Sequence, residues 1–148
     1  MNANRVVVQA VLCSLLLLSP WAISVSAFDP ATKGDRIVTD TTLFPEVFVK
    51  QLVGILEASE RGALPAAAAD HKISLVVPGA QAPSMTAVET RYGKADTVRD
   101  GREPFPSEPQ EPAKMRAAKT YRYDRFWLVV PKHGQDAGRV VMVNIEPR

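Results

Sequence analysis

Two runs of aromatic and β-branched residues near the end of the chain constrain its fold more than any other feature. The first run extends from Tyr121 to Val130 and the second from Arg139 to Ile145. The segment between them, Pro131 to Gly138, is rich in residues that favour turns. The pattern therefore predicts a β-hairpin over Tyr121–Pro147, which would supply much of a sheet.

Two other stretches show the periodicity of amphipathic helices. In Pro45–Arg61 apolar residues recur at every third or fourth position, and Gly62 follows where a helix can end. In Ser84–Tyr92 a shorter apolar stripe begins after a serine suited to the N-cap and stops before Gly93. We therefore predict one long helix and one short helix.

Two short apolar or branched segments are predicted as further strands. Ile73–Val77 is continuously apolar except for one serine, which favours a central position or a strand covered on both faces. Asp96–Asp100 is predicted as a brief strand. Both would join the C-terminal hairpin in one sheet.

The remaining segments are predicted to be irregular. Phe28–Val38 has little periodicity and is predicted as an arm, with a short edge strand at Arg36–Val38 as the alternative. The alanine run Ala66–Ala69 fits either a short helix or a linker. The segment 101–112 contains four prolines and is predicted as an exposed extended loop.

Together these elements predict one α+β domain over residues 28–148. Its core would be a small antiparallel sheet with a C-terminal β-hairpin, packed against the long helix and the short helix. The helices are needed because an isolated hairpin is only marginally stable in water.

Residues 1–27 have the pattern of a secretory signal peptide. Arg5 precedes an apolar run from Val6 to Leu18, and Val25-Ser26-Ala27 provides a cleavage site. We therefore expect a periplasmic or secreted protein with no stable membrane span after cleavage. Retention of the segment as an uncleaved anchor is the alternative.

Composition argues against several classes of function. The only cysteine, Cys13, lies in the segment expected to be removed, which leaves no thiol for catalysis. The 18 basic and 16 acidic residues nearly balance, so nucleic-acid binding is not predicted. His71 and His133 have no neighbouring histidine at metal-ligand spacing, and no nucleophile or phosphate-loop motif occurs. We predict no catalytic residue, no metal and no cofactor.

The run from Ser84 to Asp96 places a capping serine, Val88, a helix-ending Gly93 and the start of a strand in that order. It resembles the helix–turn signature of SmpA/OmlA (BamE-like) domains. The resemblance covers about residues 84–147. It implies a helix followed by strands, with Tyr121-Arg122-Tyr123 and Val140–Ile145 in the strand positions.

Strict alternation along the first arm of the hairpin would place Tyr121, Tyr123, Arg125 and Trp127 on one face. Aromatic residues beside arginine are typical of binding hot spots, so these four residues are the candidate partner-binding surface. The alternative is that one face packs against the long helix and the other is half-exposed, with tyrosine rings covering the stems of the arginines.

These observations favour an exported non-catalytic protein that binds another protein or a component of the cell envelope. One alternative is a small hydrolase or ligand-binding protein whose site is assembled only in three dimensions. A second alternative is a protein inhibitor that uses the 131–138 turn or the 101–112 loop. An exposed face of aromatic residues and arginine would favour the first function, and a pocket containing a histidine with carboxylates would favour the hydrolase.

Overall fold

A computed structural model describes residues 28–63, 72–105 and 114–146. Five antiparallel strands form one sheet in the order β1-β5-β4-β3-β2, and helices pack on it. This confirms the predicted α+β class. In chain order the elements are α1 (Lys33–Val38), α2 (Glu46–Glu60), β1 (Ile73–Val76), a 3-10 turn (Gly79–Gln81), α3 (Met85–Tyr92), β2 (Thr97–Phe105), β3 (Lys114–Tyr123), β4 (Phe126–Pro131) and β5 (Met142–Ile145).

The strand register decides which side chains share a face of the sheet, because successive residues of a strand point to opposite faces. Tyr123 lies opposite Phe126, and Leu128 lies opposite both Tyr121 and Val143. We call this the inner face. Its buried residues belong to one apolar cluster that also contains side chains of the helices: Phe48, Leu52 and Leu56 of α2 and Met85 and Val88 of α3. The same cluster contains Ala118, Val129 and Met142, which the register places on the opposite face, so both faces of the sheet contribute to the buried core.

The two helices predicted from periodicity are confirmed to within one residue. Helix α3 begins after Ser84, whose Oγ accepts a hydrogen bond of 3.1 Å from the backbone N–H of Ala87. Gly93 follows the helix with φ of 85°. Gly62, after α2, has φ of 64°, a conformation in which glycine is favoured.

The predicted irregular arm over Phe28–Val38 is wrong in its second half, and so is the alternative strand at Arg36–Val38. Lys33–Val38 is a helix that begins with a capping box. The Thr32 hydroxyl accepts from the Asp35 N–H at 3.0 Å, and the Asp35 carboxylate accepts from the Thr32 N–H at 3.2 Å. Because an aspartate replaces the usual glutamate or glutamine of this motif, the helix start was not apparent in the sequence.

The central position predicted for Ile73–Val77 is also wrong. Among the described strands, β1 pairs only with β5 and forms one edge of the sheet. The side chain of Val76 is 52% exposed. Although the run is almost continuously apolar, only alternate residues of it are therefore shielded from solvent.

Strand β2 is longer than the brief strand predicted at Asp96–Asp100, and it enters the segment predicted as a loop. Residues 101–105 pair with β3 although Pro104 has no backbone N–H. A proline is tolerated there because β2 is the other edge strand, where an N–H can face away from the ladder. The rest of the 101–112 segment, the Ala66–Ala69 run and the predicted signal peptide lie outside the described residues.

The first arm of the predicted hairpin is not one strand. The chain reverses at Asp124-Arg125, so that Tyr123 ends β3 and Phe126 begins β4. Asp124 has a positive φ of 57°. Tight hairpin turns are normally signalled by Asn-Gly or Asp-Gly, and Asp-Arg gives no such signal. Pairing of β4 with β5 confirms the second half of the hairpin prediction.

Contacts with two other segments hold this turn in place. The Asp124 carboxylate accepts a hydrogen bond of 2.7 Å from the Gly34 N–H of α1. The Asp124 N–H donates to the Asp96 carboxylate at 3.2 Å. The buried Arg125 guanidinium lies 3.7 Å from the Asp35 carboxylate. Helix α1 is therefore anchored to the β3–β4 turn.

Replacement of Gly34 by alanine is expected to lower the free energy of unfolding by at least about 2 kcal/mol, because the added carbon must displace packed backbone. A Cβ at this position would lie 2.5 Å from the Tyr123 carbonyl oxygen and 2.8 Å from a ring carbon of Phe126. Urea denaturation of the full chain measures this loss.

Gly54→Ala is the matched control for Gly34→Ala. Gly54 lies within α2, and a Cβ there would meet nothing within 4 Å. The substitution should raise the free energy of unfolding by about 0.5–1 kcal/mol. Equal stability of the two variants would contradict the close docking of α1 on the turn.

Candidate functional site

The four residues predicted as a partner-binding surface do not share one face. Tyr123 lies on the inner face and is 1% exposed, while Tyr121 on the same face is half-buried. Arg125 is buried in the β3–β4 turn, and Trp127 lies on the opposite, outer face. The prediction of a shared face is wrong because the reversal at Asp124 changes the alternation between Tyr123 and Trp127.

Tyr123 is buried in the core and contributes to the fold, not to an exposed surface. Its hydroxyl donates a hydrogen bond of 2.8 Å to the carbonyl oxygen of Gly93, at the end of α3. Burial raises the pKa of Tyr123 to about 12, and the nearby carboxylates of Glu89 and Asp96 contribute to the increase. Burial likewise raises the pKa of Tyr121. Tyr123 therefore holds the end of α3 against β3.

Trp127 is the centre of a cluster on the outer face. Its indole N–H donates to the Glu146 carboxylate at 2.6 Å, and Arg122 donates to the other oxygen of that carboxylate at 3.2 Å. The guanidinium carbons of Arg99 and Arg122 lie 4.5 and 5.3 Å from the centroid of an indole ring that is only 4% exposed. These distances allow cation–π attraction. The indole is thereby fixed in one orientation.

Next to this cluster the outer face has a cleft of about 340 Å³. The cleft exists because the side chains between the Trp127 cluster and Glu103 are small. Gly101 lies opposite Ala118, and Thr120 occupies the neighbouring outer position of β3. The described residues that line the cleft are Lys72, Arg99, Asp100, Gly101, Glu103, Ala118, Thr120, Trp127 and Glu146. Its volume is at the lower end of the range for ligand sites.

Three charged groups of the cleft are available to a ligand. Within the described ranges, the side chains of Lys72, Glu103 and Arg99 have no hydrogen bond or ion pair, and the guanidinium of Arg99 lies over the indole ring. By contrast, Asp100 is paired with Lys132, which lowers the pKa of that carboxyl group. The cleft therefore presents two cations and one carboxylate that are not neutralised by described neighbours.

Among the described residues, no hydrogen bond or ion pair joins His133 to a carboxylate. His133 is exposed in the connection between β4 and β5, and the nearby Asp136 binds Arg116 through both carboxylate oxygens at 2.8 and 3.1 Å. The hydrogen bond from Arg116 lowers the pKa of Asp136. A depression of about 560 Å³ beside Asp136 and Arg139 therefore has its carboxylate already occupied. His71 lies outside the described residues.

The described ranges contain neither a cluster of metal ligands nor a membrane-spanning helix. No group of three or more histidine, cysteine, aspartate or glutamate residues in them could hold a metal ion. No helix in them is long and apolar enough to cross a membrane.

Comparison of the chain with protein-family models, with curated proteins and with solved structures finds no match. The resemblance to SmpA/OmlA domains stays a prediction. The case for function rests on the cleft.

Sequence reasoning identified Trp127 but missed Arg99, Gly101 and Glu103. These three residues occupy every second position of β2, so the alternation typical of a strand was present in the sequence. It was hidden because Gly101 and Pro104 both argue against a strand interior. Only the pairing with β3 reveals that this segment forms one wall of a cleft.

Tyr123→Phe should lower the free energy of unfolding by about 1 kcal/mol at neutral pH, because the hydrogen bond to Gly93 is lost. The pKa of the Tyr123 hydroxyl, ordinarily near 10, is raised to about 12 in the folded wild-type chain. The unfolded chain therefore loses the hydroxyl proton first, and the stability that depends on this proton is lost between about pH 10 and 12.

The wild-type chain should accordingly lose more stability than the variant as the pH rises through this window. Urea denaturation of both proteins at several pH values measures the difference, and the titration of all other groups cancels. A difference that does not change with pH would contradict the buried, protonated state of Tyr123.

Proposed function

We propose that this chain is an exported, non-catalytic protein that binds another protein or a component of the cell envelope through the outer-face cleft. The observation that carries the proposal is the combination of an immobilised indole with charged groups that have no described partner. Trp127 is fixed by Glu146 and Arg122, while Arg99 and Lys72 retain hydrogen-bond donors that a ligand can use. The expected signal peptide supports an exported location.

The geometry favours binding because the floor of the cleft is fixed before a partner arrives. A pre-organised surface loses less conformational entropy on association than a mobile one. Tryptophan and arginine are also the residues most enriched among those that dominate binding energy.

The carboxylate nearest the indole supports the same proposal. Both oxygens of Glu146 accept hydrogen bonds, one from Trp127 and one from Arg122. This arrangement suits a group that orients its neighbours better than one that transfers a proton. The hydrolase alternative would need a different pair of groups.

Gly101 offers a way to obstruct the cleft without damaging the fold. A Cβ at Gly101 would meet nothing within 4 Å, and its φ is not in the left-handed region. Valine favours strands, so Gly101→Val should keep or slightly raise the free energy of unfolding while its side chain projects into the cleft and narrows it.

Capture from an extract of the cell envelope tests the proposal. The immobilised full chain should retain at least one component that both Gly101→Val and Arg99→Ser lose by about tenfold, as quantified by mass spectrometry. The control is Arg102→Ser, which removes an exposed arginine from the other face of β2 and should retain that component. Thermal denaturation shows that all variants are folded. If every captured component is held equally by the cleft variants and the wild type, the proposal is wrong.

A further inference from the structure

The charges of the cleft are arranged along one strand. Arg99, Gly101 and Glu103 are alternate residues of β2 and therefore point to the same face. Four residues of a β-strand span roughly 13 Å, which is about the separation of the positions of Arg99 and Glu103 along the strand. Gly101 leaves the space between them open. The cleft thus has a cationic end and an anionic end.

The cationic end is suited to a carboxylate. The guanidinium of Arg99 lies against the indole of Trp127, and its N–H groups form no hydrogen bond with a described residue. A planar guanidinium stacked on an aromatic ring can still bind a carboxylate through two parallel hydrogen bonds. Lys72 also lines the cleft, but it precedes β1 at the opposite edge of the sheet, so Arg99 is the cation of this end.

The anionic end excludes a uniformly negative ligand. Glu103 lies opposite Arg116 in the sheet, but Arg116 is hydrogen-bonded to Asp136 and to the His133 carbonyl. Glu103 is therefore not neutralised by that neighbour. A polyphosphate or nucleic acid lying along the cleft would meet this carboxylate, whereas a ligand with one negative end and one positive end would complement both groups.

We infer that the partner inserts an extended protein segment in which an acidic residue and a basic residue stand about four positions apart. The acidic side chain binds Arg99, and the basic side chain binds Glu103. This inference rests on the proposed function of the cleft. An extended segment matches because its side chains repeat with the same spacing as those of β2.

Selection from a library of displayed random dodecapeptides tests this inference, with the full chain as bait and Gly101→Val as the counter-selection bait. The selected peptides should carry an acidic and a basic residue three to five positions apart, in a consistent order. Arg99→Ser should weaken binding of a selected peptide about tenfold, as measured by isothermal titration calorimetry, while Arg102→Ser should leave it unchanged.

The double variant Arg99→Glu/Glu103→Arg is the most decisive test, because it preserves the net charge and exchanges the positive and negative ends of the cleft. It should select peptides in which the order of the acidic and basic residues is reversed. Cleft-dependent peptides that lack the charge pair, or an order that the exchange does not change, would overturn the inference and leave the proposed function standing. If no selected peptide is lost with Gly101→Val, both the inference and the proposed function are wrong.

Discussion

The reversal of the chain at Asp124-Arg125 is the constraint on which the rest of this structure depends. A two-residue turn fixes the register between β3 and β4, and a shift by one residue would exchange the two faces of a strand. The turn adopts a positive φ at a non-glycine residue, which is unfavourable in isolation. Its contacts with Gly34 and Asp96 offset that cost. By stabilising this turn, the short helix α1 therefore helps to set the register of the sheet.

The same register creates the candidate site. Because Phe126 follows the turn directly, its ring enters the core and Trp127 faces outward, opposite Arg122. Arg99 then reaches across β3 from the edge strand to the indole, and Glu146 binds the indole N–H from beyond β5. Residues from three strands and the segment after a fourth thus meet at one aromatic ring. The single turn at Asp124-Arg125 therefore positions segments that are far apart in the sequence.

The sequence predicted those parts of the fold in which local signals and tertiary packing agree. The apolar stripe of α2 and the Ser84 cap of α3 are such signals, and both helices were placed within one residue. The errors fall where tertiary contacts override local preference. Asp124 takes a turn conformation that Gly34 and Asp96 support, and Pro104 lies in a strand because that strand is an edge. The cleft could not be predicted, since it requires the pairing of Gly101 with Ala118, which are distant in sequence.

The most direct test of this account is the environment of Trp127 in solution, measured by NMR on the isotope-labelled full chain. We expect nuclear Overhauser contacts from the Trp127 indole to the side chains of Arg99 and Arg122, whose methylene protons should be shifted upfield by the ring. Contacts from the indole to the ring of Tyr123, with none to Arg99, would show that the two aromatic residues share a face. That result would contradict both the turn at Asp124 and the outer-face cleft.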